Sequence, residues 1–307
     1  MSNTVSIHGV VPVIPTPFHP DESIDVDSLR NVVDWVAGKE LAAMCSPAYG
    51  SEFYKLSEAE RDQVVTIAVE ASSGRVPVIA QANHASARLA SELAKRYDDL
   101  GADVISFALP RQFGASTPDL LNYCETIANA TQRPILVQDF NPGGTSIGAD
   151  FVVELSNRAD NFQFVKLEDP MMTDKLVDIR DRVEGRVSIF EGWGGLYMLE
   201  GIAAGIQGVM PGVAIADLLD VVFSAAHSGD HSKAHDLFGT LLPFINFTLQ
   251  DFEFFLQIEK RTLLRRGLIE SATVRSLTNS PSPSVMAHVD YLIDQIERII
   301  ESSGLNT

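Results

Sequence analysis

Cysteine is scarce in this 307-residue chain: Cys45 and Cys124 are the only two. Two thiols cannot make a disulfide framework, so a reducing cytoplasm is the expected setting. No run of about 18 apolar residues occurs, so the pattern offers no membrane-spanning helix. The opening MSNTVSIHGVVPVIPTPF lacks a basic stretch followed by a long apolar one, and no signal peptide is expected. Basic residues are also few: 23 Lys and Arg stand against 41 Asp and Glu, for a net charge of −18. Such a surface repels phosphate backbones and anionic lipid heads, so neither nucleic acid nor membrane is an expected partner. An anionic substrate would have to be held by locally placed donors. The phosphate-binding P-loop, the G-x-S-x-G elbow and the H-E-x-x-H zinc motif are absent, and Gly192-Trp193-Gly194-Gly195 lacks the spacing of a dinucleotide fingerprint.

What is present is a repeating pattern. Short runs rich in Val and Ile recur at 10–14, 41–45, 76–80, 104–107, 135–137, 162–165, 187–190 and 208–210. Each is followed by a polar turn and an amphipathic stretch. Ser57 and Glu60 form a capping box ahead of Val64, Val65, Ile67 and Ala68, which predicts a helix start. Leu89, Leu93 and Tyr97 recur at helical spacing, with Gly101 as the stop. Strands buried on both faces and alternating with helices predict a parallel sheet. Roughly eight such units over about 220 residues fit an α/β fold of the (β/α)8 TIM-barrel type. Beyond Ala225 there is no strand signal, and 237–267 and 285–300 read as helices around a Ser/Pro-rich loop. The expected organisation is a barrel over residues 1–225 with a C-terminal helical extension, 226–307, packed on it.

In such a barrel reactive residues stand at the carboxyl ends of the strands. Those ends carry Tyr49, Gly50, Ser51 and Glu52, then His84, Arg111 and Gln112, Gln138 and Asp139, Lys166 and Glu168, and Glu191. Lys166 follows an apolar strand, and burial penalises an ammonium. A neutral amine there attacks a ketone, and the resulting iminium is an electron sink for breaking a neighbouring bond. The alternative is a lysine that only pairs with Glu168, Asp139 or Glu191. The Gly50-Ser51 turn offers N–H and hydroxyl donors for a small carboxylate. Asp139, Glu168, Asp169 and Glu191 lie near successive strand ends, a spacing that suits a Mg²⁺-dependent enzyme or, alternatively, salt bridges. His227, His231 and His235 sit in a polar stretch and read as a solvated helix face. The residues therefore leave three classes open: a Schiff-base lyase, a Mg²⁺-dependent barrel enzyme, and a 2-oxo-acid-binding protein without turnover.

Several segments, in order and spacing, resemble one family. They are Pro15-Thr16-Pro17-Phe18 with Ile24-Asp25, Gly50-Ser51-Glu52-Phe53 with Leu56-Ser57 and Glu60-Arg61, Gly74 to Ala80, Val165-Lys166-Leu167-Glu168, and Lys260-Arg261 with Gly267 and Arg275. This is the dihydrodipicolinate synthase and N-acetylneuraminate lyase family of Schiff-base class I lyases. The resemblance implies a TIM barrel, Lys166 as the Schiff-base lysine, a small-molecule 2-oxo acid as substrate, no cofactor and no metal, and a homo-oligomer, dimer or tetramer. Departures from the family pattern are equally informative. Its threonine-bearing loop is Ala48-Tyr49-Gly50-Ser51-Glu52 here, its fifth-strand Tyr-Asn is Gln138-Asp139, its Pro-Tyr-Tyr is Pro110-Arg111-Gln112, and its arginine is missing from 141–145. These differences argue against dihydrodipicolinate synthesis and against sialic acid cleavage by a phenol relay. Gln138-Asp139, Ser51-Glu52 and Glu191-Gly192-Trp193 together resemble the branch containing 2-keto-3-deoxyarabonate dehydratase. That implies dehydration of a 2-keto-3-deoxy sugar acid, with a pyruvate-releasing aldolase as the alternative. The expected catalytic group is Lys166 with Gln138, Asp139 and Tyr49. Gly50, Ser51, Arg111 and Glu191 are expected to bind substrate. The proton carrier stays open among Tyr49, Asp139, Glu191 and a water on Gln138.

Overall fold

The computed structural model describes residues 5–111, 114–141 and 146–303. Gln112 and residues 142–145, which the sequence puts at strand ends, lie outside the described residues. The chain alternates strand and helix eight times. The strands are β1 (Gly9–Val10), β2 (Met44–Cys45), β3 (Val78–Gln81), β4 (Val104–Ala108), β5 (Ile135–Asp139), β6 (Phe162–Leu167), β7 (Ser188–Glu191) and β8 (Gly208–Val209). Between and after them come α1 (Val26–Gly38), α2 (Glu58–Ser72), α3 (Ala87–Asp99), α4 (Thr117–Ala128), α5 (Ala149–Arg158), α6 (Thr173–Val183), α7 (Met198–Ala204) and α8 (Ala216–His227). Ser57 caps α2 through the reciprocal bonds with Glu60 that its sequence predicts.

All strand pairs are parallel, in the order β1-β8-β7-β6-β5-β4-β3-β2. The seam between β1 and β2 carries backbone bonds from Ala42 N to Val10 O (3.0 Å), Cys45 N to Pro12 O (3.0 Å) and Ile14 N to Cys45 O (2.9 Å). The architecture matches a (β/α)8 barrel. Side chains alternate across each strand, and the two resulting cores are distinct. Ile79, Val104, Leu136, Phe164 and Phe190 pack together inside the barrel. Ala80, Ile105, Val137, Val165 and Ile189 pack outward against the helices.

Three further helices follow: α9 (His231–Thr248), α10 (Phe252–Arg265) and α11 (Pro283–Ser303). The single helix read over 237–267 is thus two, because the Asp251 carboxylate caps a new start by accepting the Phe254 N–H at 2.9 Å. The residue-225 division falls inside the last turn of α8. Among the described residues no helix is long and apolar enough to cross a membrane.

Two buried charged groups on or just after α10 grip the barrel. Arg266 donates to both oxygens of Asp217 on α8 and to the Ala214 carbonyl. Glu259 Oε1 accepts the Val213 and Ala214 N–H groups at 2.5 and 2.8 Å. Asp217→Ala leaves an arginine buried without its partner, so urea unfolding is expected to show a loss of about 3–5 kcal/mol. Burial pushes the Glu259 carboxyl up to about 7 against the pull of those two N–H groups and Arg266. A raised carboxyl contributes stability fully below the ordinary carboxylate range and loses it as pH rises through about 7. Urea midpoints are therefore expected to fall between pH 5 and pH 8. Glu259→Gln, whose amide oxygen keeps both N–H bonds, is expected to flatten that fall.

Candidate active site

Strand alternation decides which residues reach the barrel mouth. Above the inner layer of Ile79, Val104, Leu136 and Phe164, the next inward positions are Gln81, Ser106, Gln138 and Lys166. Lys166 and Gln138 are register neighbours on β6 and β5. Both are buried, and they form the floor of a cavity with Glu168. Tyr49, Phe140, Trp193, Leu249, Phe252 and Phe255 build its walls. Its volume is about 60 Å³. At about 10–15 Å³ per water this is room for four to six waters, the bulk of a three-carbon 2-oxo acid.

Lys166 Nζ stands 3.1 Å from Glu168 Oε1. The same oxygen accepts the Gln138 amide at 2.9 Å. Gln138 in turn accepts from Gln81, whose carbonyl accepts from Asn83 at 2.8 Å, and Asn83 accepts the Ala108 N–H at 2.6 Å. A chain of amides, each donating toward the next, thus ends on Glu168 and fixes its orientation. Its other oxygen, Oε2, is buried with no hydrogen-bond partner. Burial raises the Glu168 carboxyl above its ordinary range, while Lys166 and Gln138 pull it down. A carboxyl with one anchored and one open oxygen, beside an amine, can give and take a proton over a substrate joined to that amine. The sequence marked Glu168 only as an ion-pair or metal candidate.

Glycine at 192 makes this proximity possible. A Cβ there would lie 2.5 Å from Glu168 Oε1 and 2.6 Å from Glu168 Cγ, and would press on Lys166 Cε.

The other expected residues divide. Tyr49 and Gly50 line the cavity. Burial, and next the Glu168 charge, push the Tyr49 phenol upward, which keeps it a hydroxyl. Ser51 does not offer its donors to the cavity. Its hydroxyl donates to Ile14 O at 2.5 Å and accepts from Ala48 N at 3.0 Å, and its N–H goes to Ala48 O. Ser51 holds the loop instead. Asp139 and Glu191 occupy outward strand positions, one residue past the inward ones, and neither lines the cavity. Asp139 receives both arms of Arg111 and the Ile147 N–H. Glu191 accepts Trp193 N at 2.8 Å and Gly195 N at 2.9 Å, and burial pushes its carboxyl up to about 8. Both serve the loops around the mouth. Arg111, tied to Asp139, faces a second cavity with Arg61 and His84, on the far side of the Tyr49 ring. The carboxylates expected to converge on a metal therefore point to opposite faces of the strands. Among the described residues no group of three or more His, Cys, Asp or Glu is arranged to hold one.

The loop at 49–52 has an anchor that sequence reasoning missed. Glu52, buried and left-handed at φ 58°, pairs with fully buried Lys260 of α10 and with Lys55, and accepts Arg275 N at 3.2 Å. Phe18 lies under both Lys260 and Arg275, 4.2 and 4.4 Å from its ring centre. The charge pattern alone gives no sign of a pair so distant in sequence.

Gly192→Ala is the sharpest probe of this packing. It is expected to keep the far-ultraviolet circular dichroism of the parent while abolishing covalent capture of pyruvate at Lys166 under borohydride, measured by intact mass.

Known proteins resemble this chain over most of its length. Residues 6–294 match the family model described as the dihydrodipicolinate synthetase family. An L-2-keto-3-deoxyarabonate dehydratase from Azospirillum brasilense is 28% identical over 80% of this chain and 81% of its own length. A 4-hydroxy-tetrahydrodipicolinate synthase from Alkalilimnicola ehrlichii is 28% identical over 74% of this chain and 78% of its own. The crystal structure of dihydrodipicolinate synthase from Rhodopseudomonas palustris superposes with a TM-score of 0.88 at 24% identity, covering 94% of this chain and 97% of that one. The chain belongs to the dihydrodipicolinate synthetase family and is an enzyme of its lyase type.

Proposed function

We propose that the chain is a Schiff-base lyase that dehydrates a 2-oxo acid bearing a hydroxyl at C4. The 2-keto-3-deoxy sugar acids are of this type, and the name of the Azospirillum relative makes them the first compounds to try. The observation that carries this reading is the Lys166–Glu168 contact of 3.1 Å on the floor of the cavity, with Glu168 Oε2 buried and open.

The chemistry closes on these two side chains. Lys166 passes a proton to Glu168 and attacks C2 as the free amine. Glu168 returns that proton to the former carbonyl oxygen, then takes a second from the attacking nitrogen and delivers it to the same oxygen, which departs as water and leaves an iminium. The ionised Glu168 then takes a proton from C3, and the electron pair moves toward nitrogen to give an enamine. Protonated Glu168 delivers that proton to the C4 hydroxyl. Water leaves, the enamine electrons form the C3=C4 bond, and the iminium is restored. Hydrolysis frees Lys166 and an unsaturated 2-oxo acid, so the net change is one water lost. Gln138 keeps Glu168 facing the substrate throughout, and Glu168 takes the proton-relay part that the tyrosine phenol at the fifth strand plays in the resembled family.

Borohydride reduction in the presence of pyruvate is expected to place one adduct on Lys166, located by peptide mass. Glu168→Gln keeps the shape but can neither take the Lys166 proton nor protonate the departing oxygen, so it is expected to slow trapping and to lower kcat by about 10²–10⁴-fold. A coupled lactate dehydrogenase assay is expected to detect no pyruvate released from a 4-hydroxy-2-oxo acid. An adduct on another lysine, or none, overturns the reading.

A further inference from the structure

We infer that His8 and His227 form a surface site for a divalent cation that prefers nitrogen ligands, of the Cu²⁺, Ni²⁺ or Zn²⁺ kind. The regular spacing of His227, His231 and His235 suggests one solvated face, but the fold separates them. His227 is the last residue of α8, and the other two lie on α9. The partner of His227 is His8, 219 positions away, in the segment that leads directly into β1. Both stand at the N-terminal ends of the barrel strands, away from Lys166 and Glu168 at the carboxyl ends.

The two imidazoles present Nε2 to Nε2 at 3.0 Å. Two nitrogens bound to one such cation at about 2.0–2.1 Å stand roughly 2.9–3.4 Å apart when the bonds meet at about 90–110°. The observed spacing falls within that bite. Without an ion the same spacing lets one ring donate to the other, which holds the two donors together in advance. Packing fixes both rings. His227 stacks on Phe223 with centroids 4.6 Å apart and planes at 21°. His8 meets Phe223 edge-on at 5.3 Å and His227 edge-on at 4.5 Å. Donors already held in place lose little rotamer freedom when they bind.

Donor chemistry selects the ion. Neutral imidazoles suit Zn²⁺, Cu²⁺ and Ni²⁺, whereas Mg²⁺ and Ca²⁺ seek oxygen. Among the described residues no third His, Cys, Asp or Glu completes the set. Water takes the remaining positions, and both histidines are exposed enough to admit it. The net charge of −18 draws cations toward the surface. An ion here fastens the start of the first strand to the end of the last barrel helix. Because it binds the folded chain, it raises thermal stability in a concentration-dependent way. His231 and His235, four residues apart and exposed on α9, are the competing pair, and the test separates the two.

Isothermal titration calorimetry with ZnCl₂ on the untagged full-length protein, at about pH 7.5 where imidazoles are neutral, measures this directly. One ion per chain is expected to bind saturably, CuCl₂ more tightly than ZnCl₂, and MgCl₂ not at all. His8→Ala and His227→Ala each remove one of the two ligands, and each is expected to weaken Zn²⁺ binding by at least about tenfold. His231→Ala is expected to leave it unchanged. Zn²⁺ is expected to raise the Tm of the parent but not that of His8→Ala. Both side chains are exposed, so these variants are expected to keep the circular dichroism of the parent. No saturable binding, binding that survives both His8→Ala and His227→Ala, binding lost in His231→Ala, or equal affinity for Mg²⁺ overturns the assignment.

Discussion

An amine and a carboxyl, held in contact and shut away from bulk water, are the interaction around which the mouth of this barrel is built. Neither Lys166 nor Glu168 is cheap to bury. Each is tolerated because the other is there and because Gln138 supplies the remaining hydrogen bond. The amide chain from Asn83 through Gln81 gives the carboxylate one permitted orientation. The glycine at 192 then removes the side chain that would force lysine and acid apart. What is left unsatisfied is a single oxygen, Glu168 Oε2, and an orphan of that kind in an otherwise paired cluster marks where a reacting group belongs.

Much of this was legible in the chain. The Val- and Ile-rich runs locate all eight strands in order, because a strand buried on both faces needs apolar residues throughout. Lys166 was legible for the opposite reason: a charge at the end of such a run is anomalous. What the sequence could not resolve was parity. Gln138 and Asp139 are adjacent, and so are Phe190 and Glu191, yet one of each pair faces the interior and the other the helices. A side-chain period of two makes a one-residue error a complete change of face. The β6 register shift against β5, between Ile135 and Leu136, adds an offset that no pattern reveals. Ser51 misled differently: its composition suits an anion cradle, but both its donors close the turn on itself and on Ile14. Glu168 lies past the last residue of β6, where alternation no longer announces direction.

The C-terminal helices are part of the site and not an appendage to it. α10 brings Phe252 and Phe255 to the cavity wall, Glu259 ties off the Val213–Ala214 turn, and Lys260 reaches the Tyr49 loop through Glu52. Gly212, on the cavity rim, leaves room for the Glu259 carboxylate, which a Cβ there would approach to 2.5 Å. The barrel supplies the Lys166–Glu168 pair, and the added helices supply part of the wall around it.

The Lys260–Glu52 contact joins residues 208 positions apart. By the time synthesis passes Val209 every strand of the barrel and Lys166 have been made, but not Lys260, which secures the loop beside the cavity. The loop at 49–52 therefore gains this anchor only after the last barrel strand has been made. A contact of such long sequence separation also carries a large loop-closure cost when the finished chain folds.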